Sequence, residues 1–192
     1  MKKIACLVLA AGSGKRFGGK KQLALIDGQP MLIKVIKELR SIFKDDIVVV
    51  LGAYRSEIFP LVTKLAKSVE NIEWKKGLGS SISIGVKFVR EEADYDAVLV
   101  TLADQVGLQT NNFLQLIAAY DKQHIVATDY GASFGVPALF PKSYFDVLEQ
   151  LDAGNGAKSL LNSGENPVIG VWIQNAKIDI DTADDLKNFL QK

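Results

Sequence analysis

The stretch Ile4-Ala5-Cys6-Leu7-Val8-Leu9-Ala10-Ala11-Gly12-Ser13-Gly14-Lys15-Arg16-Phe17-Gly18-Gly19-Lys20-Lys21 decides how this chain is read. Ile4 to Ala10 is an unbroken apolar run, the pattern of a strand buried on both faces. From Ala11 to Lys21 the chain carries four glycines and four cations. Glycine lets backbone approach a ligand and turn N–H groups toward an anion, and the arginine fork suits phosphate. Because it directly follows a buried strand, the loop reads as a polyphosphate cradle. The competing reading is a solvated turn with incidental lysines. Two familiar patterns fail here. The dinucleotide fingerprint G-x-G-x-x-G starts at Gly12 and Gly14 but meets Phe17 at its third position. The phosphate loop of kinases and ATPases fits Gly14, Gly19 and Lys20, but Lys21 stands where a hydroxyl would hold magnesium.

Outward from this stretch, helical and extended patterns alternate. Pro30 suits a first helical position, and Leu32, Ile33, Val35, Ile36 and Leu39 follow at helical spacing. Ile47 to Leu51 reads as a strand, Ile58, Leu61, Val62, Leu65 and Val69 as a second helix, and Asn71 to Trp74 as a short strand. Ser80 to Val89 is helical, Ala97 to Ala103 a second fully buried strand, Asn111 to Tyr120 helical and Ile125 to Thr128 extended. Phe134 to Phe140 reads as a strand whose Pro137 favours an edge or an irregular position. Pro141 opens a helix with Phe145, Leu148 and Leu151, and Gly154-Asn155-Gly156 signals a turn before a short helix from Ala157 to Leu161. Val168 to Ile173 and Lys177 to Ile180 are extended, and Thr182 to Leu190 closes as a helix. Strands separated by helices predict one α/β domain over residues 1–192, with a mainly parallel twisted sheet covered by helices on both faces. Ligands of such sheets sit at the carboxyl ends of the strands.

Composition narrows the chemistry. At 192 residues the chain is long enough for a substantial core. Lys plus Arg is 23 against 22 for Asp plus Glu, a net charge of +1, which argues against a nucleic-acid binder. The opening apolar run is far shorter than the ~20 residues of a membrane span. It ends in Gly12-Ser13-Gly14-Lys15-Arg16 and not in a small-residue cleavage site, so a cytoplasmic, membrane-free protein is expected. One Cys (Cys6) excludes a disulfide or multi-cysteine zinc site within the chain, and one His (His124) excludes a histidine-rich metal site. His124 reads as a strand edge and Cys6 as a small buried hydrophobe. Chemistry is left to carboxylates, Lys, Arg and a bound metal.

Asp104 follows the second buried strand. It reads as a magnesium ligand at the sheet's carboxyl end, against the competing reading of a helix cap. Asp179 and Asp181 stand two apart on an extended segment and so face one side, as a shared cation would require. Thr182 and Asp185 have capping-box spacing, which assigns Asp184 and Asp185 to a helix start. Gly79, Ser80 and Ser81 lie at another helix start, where an anion or sugar hydroxyl could bind or the serines could simply cap. Lys158 could meet an acceptor phosphate or be a solvated lysine.

These residues together resemble the nucleotidyltransferases of the molybdenum-cofactor guanylyl/cytidylyltransferase type. The resemblance rests on Leu9-Ala10-Ala11-Gly12-x-Gly14-x-Arg16-Phe17-Gly18-x-x-Lys21 and on Gly77 to Ile82. It continues through Leu102-Ala103-Asp104-Gln105, Gly135-Val136-Pro137-Ala138-Leu139-Phe140, Gly156-Ala157-Lys158 and Asp179-Ile180-Asp181-Thr182 with Asp185-Leu186. The cytidylyltransferase group is the branch it resembles best. The resemblance implies a Rossmann-like fold and transfer of a nucleotidyl group, CMP from CTP, to phosphorylated molybdopterin with release of pyrophosphate. It implies a metal, Mg²⁺ or Mn²⁺, at Asp104 and Asp181, with Asp179 in support. Arg16 and Lys21, with the backbone of Gly12, Ser13 and Gly14, would hold the phosphates. Leu9, Ala10 and Ala11 would face the base, Gly79, Ser80 and Ser81 the base or ribose, and Gly135, Pro137 and Lys158 the acceptor. A target molybdoenzyme or chaperone would be the protein partner. The acceptor side departs from the pattern. Val106 replaces a proline, Val136 a histidine and Lys158 an arginine, and Ala153-Gly154-Asn155 stands where a Gly-Asp pair is usual. A sugar or alcohol phosphate acceptor, a phosphate-transferring enzyme and a non-catalytic nucleotide-binding module therefore stay open.

Overall fold

The computed structural model describes residues 3–152 and 156–191. In chain order it contains β1 (Ile4–Leu9), β2 (Leu25–Ile26), β3 (Gln29–Pro30), α1 (Met31–Phe43), β4 (Ile47–Leu51), α2 (Arg55–Val62), β5 (Lys67–Glu70), α3 (Leu78–Glu92) and β6 (Ala97–Leu102). Then follow α4 (Thr110–Ala119), β7 (Ile125–Asp129), β8 (Phe134–Pro141), α5 (Phe145–Glu149), α6 (Lys158–Asn162), β9 (Val168–Trp172) and α7 (Ala183–Leu190).

Seven of the strands form one sheet in the order β5-β4-β1-β6-β8-β7-β9, while β2 and β3 make a small separate hairpin. β1 pairs in parallel with β4 and β6, β4 with β5, and β7 with β9. β8 alone runs antiparallel, between β6 and β7. The α/β reading with a mainly parallel sheet therefore holds.

Alternation along the central strands divides the core into two layers. Cys6 and Val8 of β1 and Leu99 of β6 pack with α1, α2 and α4. Ala5 and Leu7, with Val98 and Val100, pack with α3, α5 and α6. Both faces are dry, which is why these strands read as continuous apolar runs and not as alternating ones. Fully burying each Leu or Val contributes about 1.5–3 kcal/mol. Cys6 is fully buried as well, and burial raises its thiol pKa well above the ordinary value. Among the described residues no helix is long and apolar enough to cross a membrane.

Three readings are corrected. Val69 belongs to β5, not to a helix: α2 ends at Val62, and Lys67–Glu70 hydrogen-bonds to the outer edge of β4. The spacing of Leu65 and Val69 fits a helix equally well, but the open edge of β4 needs a backbone partner. Asn71 to Trp74 is consequently the turn after that strand. Pro137 takes the irregular position and not the edge, on the interior strand β8. It is tolerated there because β8 pairs with β6 only as far as Ala138, and the pairing with β7 shifts register between Ala127 and Thr128. Lys177 to Ile180 joins no ladder. Gln174–Lys177 is a short 3₁₀ turn, and the chain beyond it runs irregularly to Asp181. Smaller shifts occur elsewhere. Pro30 is the N-cap of α1, Pro141 ends β8, and Leu151 falls beyond α5. The expected turn at Gly154-Asn155 lies outside the described residues. His124 precedes β7 and pairs with Asp121, on a loop of its own.

Candidate active site

The parallel register sets Leu9 opposite Leu102. The glycine-rich loop after β1 and the turn after β6 therefore leave the sheet side by side, at its carboxyl end. Gly14 takes the left-handed conformation (φ 61°), and its carbonyl accepts from the N–H groups of Phe17 and Gly19 at 3.0 Å each. A residue with a Cβ would be strained at that φ. The curl this creates projects Arg16 outward, and a second 3₁₀ turn, Lys21–Leu23, brings Lys21 back inward.

The Lys21 ammonium sits between two carboxylates, 2.6 Å from Asp104 Oδ2 and 3.1 Å from Asp181 Oδ1. These side chains are only 15%, 16% and 28% exposed. Arg16 Nη2 adds a 3.0 Å contact to Asp181 Oδ2 from a largely exposed position. Burial works against a charged Lys21, but the Asp104 and Asp181 carboxylates outweigh it and raise its pKa above the ordinary value. Asp179 joins the cluster. Burial and the negative charges of Asp181 and Asp104 raise its carboxyl pKa.

Backbone contacts hold the carboxylates in place. The Ile180 N–H donates to the Asp104 carbonyl at 3.2 Å, tying the two carboxylate segments together. Thr182 caps α7, with Asp185 N donating to Thr182 Oγ1 at 3.1 Å and Thr182 N to Asp185 Oδ2 at 2.7 Å. The expected capping box is therefore formed, which fixes the chain immediately after Asp181.

These groups line a cavity of about 430 Å³, with Leu9, Gly12, Ser13, Gly14, Arg16, Lys21, Asp104 and Asp181 in its wall. The wall includes Asp179, and also Lys15, Gln22, Met31 and Leu78, which the sequence reading did not single out. Gln22 is the most informative of these. It is 4% exposed, and its Nε2 donates to the carbonyls of Ala10 (2.8 Å) and Gly12 (2.6 Å). Together with the bond from Ala53 N to the Ala11 carbonyl, this pins the loop's carbonyls into the protein. Its only sequence signal is its place immediately after Lys21.

Other expected site residues lie apart. Ala10 and Ala11 are buried beneath the loop. Ser80 and Ser81 both accept from Asn71 Nδ2 at 3.0 Å, and Gly79 packs against the Asp152 backbone. None of the three lines the cavity. Gly135 lines a neighbouring cavity of about 400 Å³ that shares Leu102 and Asp179 with the first. Pro137 is buried, with its carbonyl accepting from Thr128 Oγ1 at 2.9 Å. Lys158 starts α6 in an exposed position outside both cavities.

The donors fit a hard divalent cation. They are carboxylate oxygens, and Asp104 Oδ1 is buried without a hydrogen-bond partner. Among the described residues no three or more His, Cys, Asp or Glu side chains form a ready-made cage.

A family model described as the MobA-like NTP transferase domain matches residues 6–168. The purine catabolism protein PucB of Bacillus subtilis is 27% identical over 165 residues, covering 82% of this chain and 80% of that protein. The bifunctional protein GlmU of Bartonella quintana is 28% identical over 152 residues, covering 78% of this chain, which spans only 33% of GlmU. The structure of Rv0371c from Mycobacterium tuberculosis superposes with a TM-score of 0.83 at 23% identity over the whole of both chains. A manganese complex of Rv0371c superposes at 0.74, with 20% identity, covering 100% of this chain and 99% of that one.

Proposed function

This chain belongs to the MobA-like NTP transferase family, and from that premise we propose that it transfers CMP from CTP to a phosphorylated acceptor, molybdopterin, releasing pyrophosphate. One observation carries the reading. The ammonium of Lys21 is seated between Asp104 and Asp181 at the mouth of a glycine-rich loop, beside the unpartnered Asp104 Oδ1. A site that gathers two carboxylates and two cations at a strand end suits a metal-bound triphosphate.

In the proposed reaction an oxygen of the acceptor phosphate attacks the α-phosphorus, the α–β phosphoanhydride bond breaks, and pyrophosphate leaves. That oxygen is already anionic, so no strong general base is needed, in keeping with a single histidine placed elsewhere. Asp104 and Asp181 would hold a divalent cation, Mg²⁺ or Mn²⁺, which neutralises phosphate charge. The manganese complex of Rv0371c supports a divalent ion of this kind. Arg16 and Lys21 would grip the β- and γ-phosphates and stabilise the leaving group. Gln22, by turning the carbonyls of Ala10 and Gly12 away, leaves loop N–H groups for the phosphates. The neighbouring cavity around Gly135 and Asp179 would take the acceptor, within reach of the α-phosphate.

A second reading keeps the chemistry and changes the acceptor to a sugar or alcohol phosphate. Val136 and the outlying Lys158 favour it, since both depart from the molybdopterin pattern on the acceptor side. Melting curves with CTP, GTP, ATP and UTP, with and without Mg²⁺, test the donor. At 100 times Kd a ligand adds about 2.7 kcal/mol, a rise of about 5–10 °C. The largest Mg²⁺-dependent rise should come with CTP, and pyrophosphate release should require molybdopterin. Release with a sugar phosphate instead would select the second reading. Binding without release for any acceptor would leave a non-catalytic module.

A further inference from the structure

We propose that Tyr130 is a positioning residue that holds the carboxylate segments of the active site in register, a role that rests on reading Asp104 and Asp181 as cation ligands. Tyr130 follows β7, and its hydroxyl reaches three segments at once. It lies 2.7 Å from the Val136 carbonyl, 3.3 Å from the Ala176 carbonyl and 3.3 Å from Gln105 Nε2. A phenol has one hydrogen and can accept as well, so it donates to a carbonyl while Gln105 donates to it.

Each of those contacts leads to a carboxylate. Gln105 directly follows Asp104 and is 3% exposed. Its Oε1 accepts from Thr101 Oγ1 (3.1 Å) and Leu102 N (3.2 Å), and its Nε2 also donates to the Val136 carbonyl (2.8 Å). These bonds fix the turn that carries Asp104 onto the end of β6 and onto β8. Ala176 lies in the 3₁₀ turn Gln174–Lys177, which leads straight into Asp179 and Asp181. That carboxylate segment joins no sheet ladder, so its contacts with Asp104 and with Tyr130, together with the burial of Ile173, Ala176 and Ile180 in the core, set its distance from β6. Tyr130 does not line the cavity that holds Lys21 and Asp104; with Gln105 it lines the neighbouring cavity around Gly135 and Asp179, so metal binding without an acceptor is the readout that isolates its positioning role. Burial, then the nearby Asp179 charge, pushes its pKa up to about 12, so it stays a neutral donor at physiological pH. Hydrogen-bonded groups behind metal ligands change metal affinity by about 10–100-fold when removed.

The test is titration of the full chain with Mn²⁺ alone, read as loss of the free-ion electron paramagnetic resonance signal. Tyr130→Phe removes only the hydroxyl and keeps the ring. Tyr95→Phe is the control, because it removes a buried phenol's 2.7 Å bond to Asp46 at the opposite end of the sheet. The expected result is Mn²⁺ binding that depends on Asp104, weakened about tenfold or more by Tyr130→Phe and unchanged by Tyr95→Phe. Asp104-dependent binding that Tyr130→Phe leaves within twofold would overturn the role of Tyr130 and leave the site reading standing. Equal weakening by both phenylalanine variants would also overturn it, since the loss would then follow stability. Mn²⁺ binding that survives Asp104→Ala would remove the cation site itself.

Discussion

Replacing Lys21 with Met keeps the length of the side chain and deletes the charge between Asp104 and Asp181. Removing one partner of a buried ion pair costs about 3–5 kcal/mol, because the other charge is left without compensation. Here the three side chains keep 15–28% of their exposure, and water screens part of that cost. A loss of about 1–3 kcal/mol follows, or about 3–10 °C of melting temperature for a chain of this size. The pH dependence has a definite sign. The Lys21 pKa is raised in the fold, so its contribution is fully present below the ordinary lysine value and fades only as pH rises beyond it. Wild type therefore keeps the contribution throughout the neutral range. The variant's deficit should hold through the neutral range and shrink only as the pH rises beyond the ordinary lysine value, where wild type loses the Lys21 charge as well. Mg²⁺ should stabilise the variant more than wild type, since a cation in the variant meets no resident ammonium. Thermal melts at pH 7 with and without Mg²⁺, and at about pH 11 without it, measure all three effects. A variant melting within ~1 °C of wild type at pH 7, or Mg²⁺ stabilising both proteins equally, would refute the placement of Lys21 between the carboxylates.

Three further outcomes are expected. Asp104→Ala should lower turnover at least ~10³-fold in a folded protein. Its melting temperature should fall less than that of the Lys21 variant, because Lys21 keeps Asp181; near-normal pyrophosphate release would defeat the metal assignment. Arg16→Ala, at a largely exposed position, should leave stability within ~0.5 kcal/mol while lowering kcat/KM about 10²–10³-fold. An unchanged kcat/KM would take Arg16 out of the phosphate grip. Thr182→Ala deletes the cap that accepts from Asp185 N and should cost about 1 kcal/mol in denaturant melts. No loss would mean that α7 is held by packing alone.

The features read correctly from the sequence are those whose cause is local. Ile4 to Leu9 and Ala97 to Leu102 are strands because a doubly buried strand must be apolar at every position, and both runs are. Thr182 and Asp185 form their capping box because the partners stand three residues apart. The glycine-rich loop bends as expected because Gly14 needs no partner to adopt a positive φ. Asp104 follows a buried strand, so its arrival at the sheet's carboxyl end was legible as well.

Other features needed the assembled sheet. Val69 fits a helix or a strand by spacing, and the unfilled edge of β4 decides for the strand. Pro137 by itself argues for an edge or an irregular position, and the insertion of β8 between β6 and β7 decides for the second, with a local register shift that makes room for the proline. Ser80 and Ser81 have the composition of a ligand-binding helix start, yet both hydroxyls accept from Asn71 Nδ2 and neither serine lines the cavity. Gln22 has no local pattern at all, because its role depends on folding back onto the carbonyls of Ala10 and Gly12.

By itself the sequence determined the two central buried strands, β1 and β6, the glycine-rich turn between β1 and α1, and the place of Asp104 at the end of β6. Only the tertiary structure decided that Lys21 would meet Asp104, 83 residues away, and Asp181, 160 residues away, in one cavity. Periodicity and caps depend on neighbours within a few positions, whereas such a meeting depends on strand order: β1 and β6 lie side by side, and a segment that joins no ladder is carried to their ends.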